Sequence, residues 1–168
     1  MLFRSLVWTV LTALPVVAAS EAGEPLRRWL GDRDPRASLG LETWRLARSI
    51  ADAFDDYSLY RPDLLLAWEK GHPHQQNGDG LPPHQHWQPL LYHELRRRLP
   101  REPFALRVER VVRQLRQPTQ APTAPVAPLR LFGLSSLAPL QVRLLQALSG
   151  HRPVDLYLLS PCADLWRR

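Results

Sequence analysis

Four histidines lie in one polar loop, and of all residues in the sequence they are the best suited to bind a metal. They form two His-x-His pairs, His72-Pro-His74 and His84-Gln-His86, within residues 72–86. Imidazole pairs of this kind can bind zinc, copper or nickel. A solvated loop of biased composition gives the same pattern, and apart from Asp79 no Asp, Glu or Cys stands at a convincing ligand spacing. We therefore predict no metal site.

Arginines recur every three residues in a second segment and suggest a phosphate-binding surface. The repeat consists of Arg107, Arg110, Arg113 and Arg116, and it is preceded by the arginines at 96–98 and 101. Arginines on one helix face can contact nucleic-acid phosphates, whereas interspersed glutamates are typical of an ordinary solvated face, the commoner origin of a charge run. Both interpretations stay open, and the candidate DNA-binding residues of the repeat are Arg107, Arg110 and Arg113.

No arrangement of residues typical of an active site is present. Adjacent carboxylates such as Asp55 and Asp56 point apart on a helix. The single cysteine, Cys162, has no base nearby, and no Ser-His-Asp arrangement can be argued. The sequence also lacks G-x-x-x-x-G-K-[ST], the phosphate-binding loop of many nucleotide hydrolases. We predict no catalytic residue.

Composition fits a folded chain with a basic surface. The 168 residues include 22 basic and 16 acidic ones, a formal net charge of +6, and Lys70 is the only lysine. Biased codon usage explains an arginine excess, and a positive surface that attracts nucleic acid explains it as well. One cysteine excludes an internal disulfide.

The apolar pattern predicts a mostly helical region followed by a smaller α/β unit. Apolar residues recur at helical spacing over 41–60, 62–68, 87–99 and 104–115, with a short helix near 24–30. A proline-rich linker at 118–128 separates residues 1–117 from residues 129–168. There, buried strands at 129–134 and 154–159 flank a helix at 138–148 that Ser135 or Ser136 caps. Strand, helix and strand predict a parallel βαβ unit, which needs further strands to be stable.

The first twenty residues have two possible readings. Arg4, an apolar stretch to Ala18 and small residues at 18–20 are typical of a signal peptide. A packed helix over 6–14, ended by Pro15, fits the same residues. These residues alone do not decide between the two.

Several motifs, taken in order, resemble the RecC family, the gamma subunit of exodeoxyribonuclease V. They are a Trp-containing helix ending in Leu14-Pro15, the segment Trp29-Leu30-x-Asp32, residues 51–63 followed by Trp68, Gly71 and Trp87-Gln88, residues 131–140, residues 144–148, and residues 155–162 with Trp166. The resemblance covers nearly the whole chain except the histidine loop and the linker. It assigns residues 6–15 to an internal family helix and makes the signal peptide the less favoured reading.

The resemblance implies an α/β fold, mostly helical, belonging to a degenerate superfamily 1 helicase-like domain without ATPase activity. The strand at 129–134 accordingly runs into Gly133-Leu-Ser-Ser136 with no carboxylate to hold Mg²⁺. The resemblance also implies a non-catalytic chain in the cytoplasm. Its partners would be the beta and alpha subunits and DNA, which it would guide as a single strand and as a duplex end. ATP and Mg²⁺ would act on those other subunits. Leu30 and Asp32 match the strand-scanning region, and Arg61 matches the family's Arg-Pro pair.

The family's subunit is several times longer, so the chain is expected to be an internal piece or a truncated or split product. Arg33 stands where the family pattern suggests an acid, which puts its scanning specificity in doubt. A second hypothesis is a small exported helical protein with a signal peptide and a metal-binding histidine loop. A third is a gene relic that does not fold stably alone.

Overall fold

The computed structural model describes residues 2–31, 40–72, 75–76, 79–117 and 126–158. These residues fall into two compact units, which divide between Leu106 and Arg107. The helices are α1 (Leu2–Ala18), α2 (Glu24–Leu30), α3 (Leu41–Tyr60), α4 (Pro62–Glu69), α5 (Trp87–Arg98), α6 (Phe104–Leu115) and α7 (Pro139–Ser149). The strands are β1 (Gln75–Gln76), β2 (Asp79–Gly80), β3 (Leu129–Phe132) and β4 (Val154–Tyr157).

Helix α1 lies at the centre of the first unit, where it packs against α3 and α5. Val10, Ala13 and Leu14 are fully buried, as three- and four-residue spacing on one helix face requires. The partner helices contribute Ala47, Ala51 and Leu91, which are fully buried too. A segment with signal-peptide composition therefore forms part of a packed helical core.

The prediction that Pro15 ends the first helix is wrong, because α1 continues to Ala18. Proline removes one hydrogen bond of the helical ladder and its ring crowds the preceding turn. Val17 and Ala18 beyond it are buried, at 3% and 1% exposure. Their burial stabilises the last turn and offsets the local cost of the proline.

The turn from α1 to α2 leaves no space for a side chain at Gly23. A Cβ there would clash with the carbonyl oxygen of Val17 and lie 2.7 Å from the Cα of Ala18. Arg27, from α2, donates hydrogen bonds to the carbonyl oxygens of Ala18 and Ser20. The last carbonyls of a helix have no N–H donor within the helix. The guanidinium of Arg27 provides donors at this end of α1.

Helices α3 and α4 begin and end where the sequence predicts. Arg61 follows α3 at φ −130° and ψ 49°, outside the helical region, and Pro62 occupies the first turn of α4, where its missing N–H costs nothing. The chain leaves α4 through Gly71 at φ +81°, a value that favours glycine.

The segment predicted as a polar loop contains a small hairpin. Strands β1 and β2 pair antiparallel, with Gln75 opposite Gly80 and Gln76 opposite Asp79. The two residues between these strands lie outside the described residues. A short 3-10 turn at Pro83–Gln85 then leads into α5.

The second unit contains the predicted parallel βαβ arrangement. Strands β3 and β4 pair in parallel, with Leu129 opposite Val154 and Phe132 opposite Tyr157. Helix α7 joins them and packs against β4. A mostly helical chain with a parallel two-stranded sheet confirms the α/β class.

Two details of this unit differ from prediction. The strands are not buried: Phe132 is 64% exposed, and Leu158, just after β4, is 50% exposed. Among the described residues only two strands pair here, so much of their apolar surface has nothing to pack against. The N-cap of α7 is Ala138, whose N–H donates to Oε1 of Gln141 at 2.9 Å, and not Ser135 or Ser136.

The two units divide between residues 106 and 107, inside α6. Residues 118–125 of the predicted linker lie outside the described residues, so the division into 1–117, 118–128 and 129–168 stays a prediction. No single helix in the described part of the chain is long and apolar enough to cross a membrane. The bent pair Leu6–Ala18 and Glu21–Leu30, at 115°, meets that length and composition only in combination.

Candidate nucleic-acid interface

Helix α6 carries the predicted arginine repeat on its solvent side. Arg107, Arg110 and Arg113 are all exposed, whereas Val108 and Val112 are buried. A spacing of three residues turns by about −60° around a helix, so the three side chains cover about 120° of its circumference. Burial of the valines holds the helix in place and leaves the arginines facing water.

The glutamate of α6 is engaged within its own unit. Arg143, from α7, donates to Oε2 of Glu109 at 2.6 Å. Glu109 is the one acidic residue among the twelve of α6. The helix therefore presents an excess of positive charge, which suits contact with a polyanion.

The arginines just before α6 belong to a different arrangement. Arg97 and Arg98 form ion pairs with Glu94 at 3.2 and 2.6 Å, and Arg96 pairs with Glu69 at 2.6 Å. These contacts lie within the first unit. The candidate phosphate-binding surface consists of the exposed Arg107, Arg110 and Arg113, which we call the α6 arginine face.

Arg61 lies at the junction of α3 and α4. Its backbone N–H donates to the carbonyl oxygen of Tyr57 at 3.0 Å, and its guanidinium lies 3.5 Å from Oδ2 of Asp63. The side chain is 32% exposed. These contacts fit a structural role between two helices, and contact with DNA stays a prediction.

The predicted strand-scanning residues lie at the end of α2 and beyond it. Leu30 is 3% exposed and forms part of the core. Gly31 follows at φ +63°, a conformation that side chains rarely adopt. Asp32 lies outside the described residues. Leu30 and Arg61 therefore occupy separate elements of the first unit, and both assignments stay predictions.

A polar cluster between α4 and α5, of which only Tyr92 is buried, was missed by sequence reasoning. Tyr92 donates its hydroxyl hydrogen to Oε1 of Glu69 at 2.7 Å, and Nε of Arg96 donates to the same oxygen at 2.6 Å. The ring of Tyr92 packs 5.5 Å from that of Trp68, which is fully buried. These residues are 23 and 27 positions apart in sequence, so no local pattern predicts the cluster.

Two pKa shifts follow from this geometry. Partial burial raises the pKa of Glu69, but the hydrogen bonds from Tyr92 and Arg96 outweigh it and hold that pKa below its usual value. Burial, and then the bond to Glu69, raise the pKa of Tyr92 well above its usual value. Both groups therefore keep the charge states that favour the hydrogen bond at neutral pH.

Acidic and histidine residues form no metal centre in the described part of the chain. Among the acidic residues, Asp55 has a raised pKa, first because it is partly buried and then because of the negative charges of Asp56 and Asp52. No group of three or more His, Cys, Asp or Glu side chains comes together among the described residues. His86 bonds through Nε2 to the carbonyl oxygen of Leu81 at 2.8 Å, and His74 lies outside those residues.

A family model and several known proteins that are similar to this chain all carry the same name. Residues 3–168 match the family model described as RecC, N-terminal domain. The chain is 34% identical over 170 residues to the RecBCD enzyme subunit RecC of Escherichia coli K12, which covers 97% of this chain and 14% of that protein. It is 25% identical to the subunit of Haemophilus influenzae, over 96% of this chain and 16% of that protein. A Mycobacterium tuberculosis subunit is 35% identical over 74% of this chain.

Proposed function

The chain belongs to the RecC family, and from that membership we propose that it acts as part of a non-catalytic, RecC-like subunit that guides DNA strands. The observation that carries the proposal is the family match along residues 3–168. The chain spans 14% and 16% of the length of the first two relatives. The activity of a whole subunit is therefore a proposal for this chain.

The named relatives are subunits of RecBCD enzymes, so the partners we propose are the beta and alpha subunits of exodeoxyribonuclease V. The processes in which the chain would take part are double-strand-break repair and homologous recombination in the cytoplasm. ATP and Mg²⁺ would be used by those partner subunits. The parallel β3–α7–β4 unit supports the further proposal of a degenerate helicase-like domain.

The α6 arginine face is the surface that we propose for contact with DNA. Its arginines are exposed and the acidic residue of the helix is bonded to Arg143. Arginine contacts to phosphates strengthen binding without reading base sequence. The proposed contact is therefore independent of sequence and sensitive to salt.

The test is the affinity of the chain for a labelled single-stranded oligonucleotide, measured by fluorescence anisotropy over a range of salt concentrations. We expect the triple variant Arg107→Gln, Arg110→Gln, Arg113→Gln to bind more weakly. Each lost phosphate contact reduces the salt slope by about 0.7 for single strands.

A matched control removes the same charge elsewhere. Arg28, Arg45 and Arg97 each pair with a glutamate of the same helix, at 2.6, 2.7 and 3.2 Å. The triple glutamine variant of these residues should retain most of the affinity and nearly the full salt slope. Equal losses in the two triple variants would contradict a specific role for α6 and indicate attraction by net charge alone.

A further inference from the structure

The acidic side chain of α6 lies beside the arginines that we propose for DNA contact. Glu109 precedes Arg113 by four residues, and residues four apart are neighbours on the surface of a helix. An acidic residue that precedes a basic one at this spacing is in the favourable order for an ion pair. In an isolated α6, Glu109 would therefore bind Arg113 and take one cation away from the α6 arginine face.

The structure gives Glu109 a different partner. Arg143, from α7, donates through Nη2 to Oε2 of Glu109 at 2.6 Å. The two side chains are 36% and 22% exposed, so water screens this ion pair less than it screens a pair on the open surface. Arg113 is exposed and has no ion pair within the described part of the chain.

A second contact fixes α6 against the segment that follows α7. Nε2 of His151 donates to the carbonyl oxygen of Leu115, the last residue of α6. Carbonyl groups at a helix end lack donors within the helix, and here a side chain supplies one. Leu115 lies about 9 Å along the helix axis from Glu109, at 1.5 Å per residue. Contacts at two separated points limit rotation of α6 about its own axis and keep Glu109 facing Arg143.

We propose that Arg143 is a positioning residue of the α6 arginine face: it binds Glu109 and so leaves Arg113 able to contact a DNA phosphate. Without Arg143, the carboxylate of Glu109 would pair with Arg113 and repel the approaching phosphate. The number of cations that neutralise phosphates sets the salt dependence of binding, so this pairing would reduce that dependence. The proposal rests on the DNA contact proposed above for the α6 arginine face.

The experiment measures binding of a labelled single-stranded oligonucleotide by the full chain, with fluorescence anisotropy over a range of salt concentrations. The test variant is Arg143→Met, which keeps a long side chain and removes its charge. Its affinity should fall by about twofold to eightfold at about 50 mM salt. The lower value is the strength of one helical ion pair. The upper value is the loss of one whole phosphate contact, which also reduces the salt slope by about 0.7.

The matched control is Arg28→Met, because Arg28 pairs with Glu24 at 2.6 Å in the first unit and its loss changes the net charge equally. This variant should bind like the wild type.

Two further variants separate positioning from other roles of Arg143. Adding Glu109→Gln to Arg143→Met should restore the affinity and the salt slope, because no carboxylate then competes for Arg113 and the net charge returns to its original value. In an Arg113→Gln background, Arg143→Met should cause little further loss, since residues that act through one another are not additive. Circular dichroism checks that each variant keeps its helical signal.

Four results would overturn the proposal. An unchanged affinity of Arg143→Met would show that Arg143 does not act on the arginine face. A loss that Glu109→Gln does not restore would mean that Arg143 contacts DNA itself or acts by packing. A full further loss in the Arg113→Gln background would show that Glu109 does not act through Arg113. Loss of the helical signal in Arg143→Met would make Arg143 a residue needed for folding.

Failure of the proposed function gives a different result. In that case the triple glutamine variant of the arginine face would bind as tightly as the wild type. If the triple variant binds weakly and Arg143→Met binds normally, DNA contact by α6 stands and the role of Arg143 is refuted.

Discussion

At the scale of single residues, the contacts that matter most for the first unit join distant parts of the chain. The arginine repeat of α6 could be predicted, since a period of three on an amphipathic helix is a local pattern. Glu69, Tyr92 and Arg96 could not, because their meeting depends on how α4 and α5 pack. The ion pairs of Arg97 and Arg98 with Glu94 are different, because they join residues three and four positions apart on one helix, a spacing that a local pattern shows.

The hydrogen bond between Tyr92 and Glu69 gives a pH-dependent prediction. Tyr92→Phe should lower the free energy of unfolding at pH 7 by about 1 kcal/mol, which is less than the usual value for a bond to a charged group because water screens Glu69. Because Glu69 has a lower pKa in the fold than its ordinary 4.5, its ionisation stabilises the fold above that pH. The contribution is lost as the pH falls through the folded-state pKa.

The measurement is urea unfolding of the wild type and of Tyr92→Phe at pH 7 and at successively lower pH, through the lowered folded-state pKa of Glu69. The difference between the two proteins should shrink to about half in acid, where a neutral acceptor replaces the carboxylate. Tyr60→Phe is the matched control, since Tyr60 is 54% exposed, and it should change little at either pH. A difference that is constant with pH would show that Tyr92 acts by packing alone.

At the scale of the elements, local sequence signals predicted most boundaries and failed where tertiary packing decides. Helices α3, α4 and α6 agree with the periodicity and proline positions that predicted them. Pro15 did not end α1, because burial of the following turn outweighs a missing hydrogen bond. The apolar composition of β3 and β4 predicted strands correctly but their burial wrongly, since composition carries no information about what packs on a sheet.

The turn between α1 and α2 gives a second prediction. Gly23→Ala should lower the free energy of unfolding by about 1–3 kcal/mol, the usual cost of forcing extra volume into a packed site. The added methyl would meet the backbone of Val17 and Ala18, which cannot rotate away as a side chain can.

Thermal unfolding followed by circular dichroism measures this effect. Gly80→Ala is the control, because a Cβ at Gly80 would meet nothing within 4 Å. A melting temperature for Gly23→Ala equal to that of Gly80→Ala would show that the turn can shift to make room. The turn at Gly23 would then not be what sets the direction in which α2 leaves α1.

At the scale of the whole molecule, the two units differ in how much apolar surface they bury. The first contains the packed helices α1, α3, α4 and α5, with Trp68, Leu14 and Leu65 at 0–1% exposure. In the second, the buried apolar residues among those described are Val108, Val112, Ala138 and Leu140. Regions with few buried contacts open locally at lower free energy than a well-packed core.

This difference predicts unequal hydrogen exchange along the isolated chain. Backbone amides of β3 and β4 should exchange at least about tenfold faster than those in the middle of α1, since local opening of a two-stranded sheet exposes little apolar surface. Exchange followed by mass spectrometry of peptic peptides resolves these segments, and α7 serves as an internal comparison within the second unit. Equal protection of β3 and α1 would mean that the chain unfolds as one cooperative body and that its sheet needs no further strands. Faster exchange confined to β3 and β4 would instead identify the sheet as the part of the fold whose stability depends on a longer polypeptide, and would count against the hypothesis that the entire chain fails to fold alone.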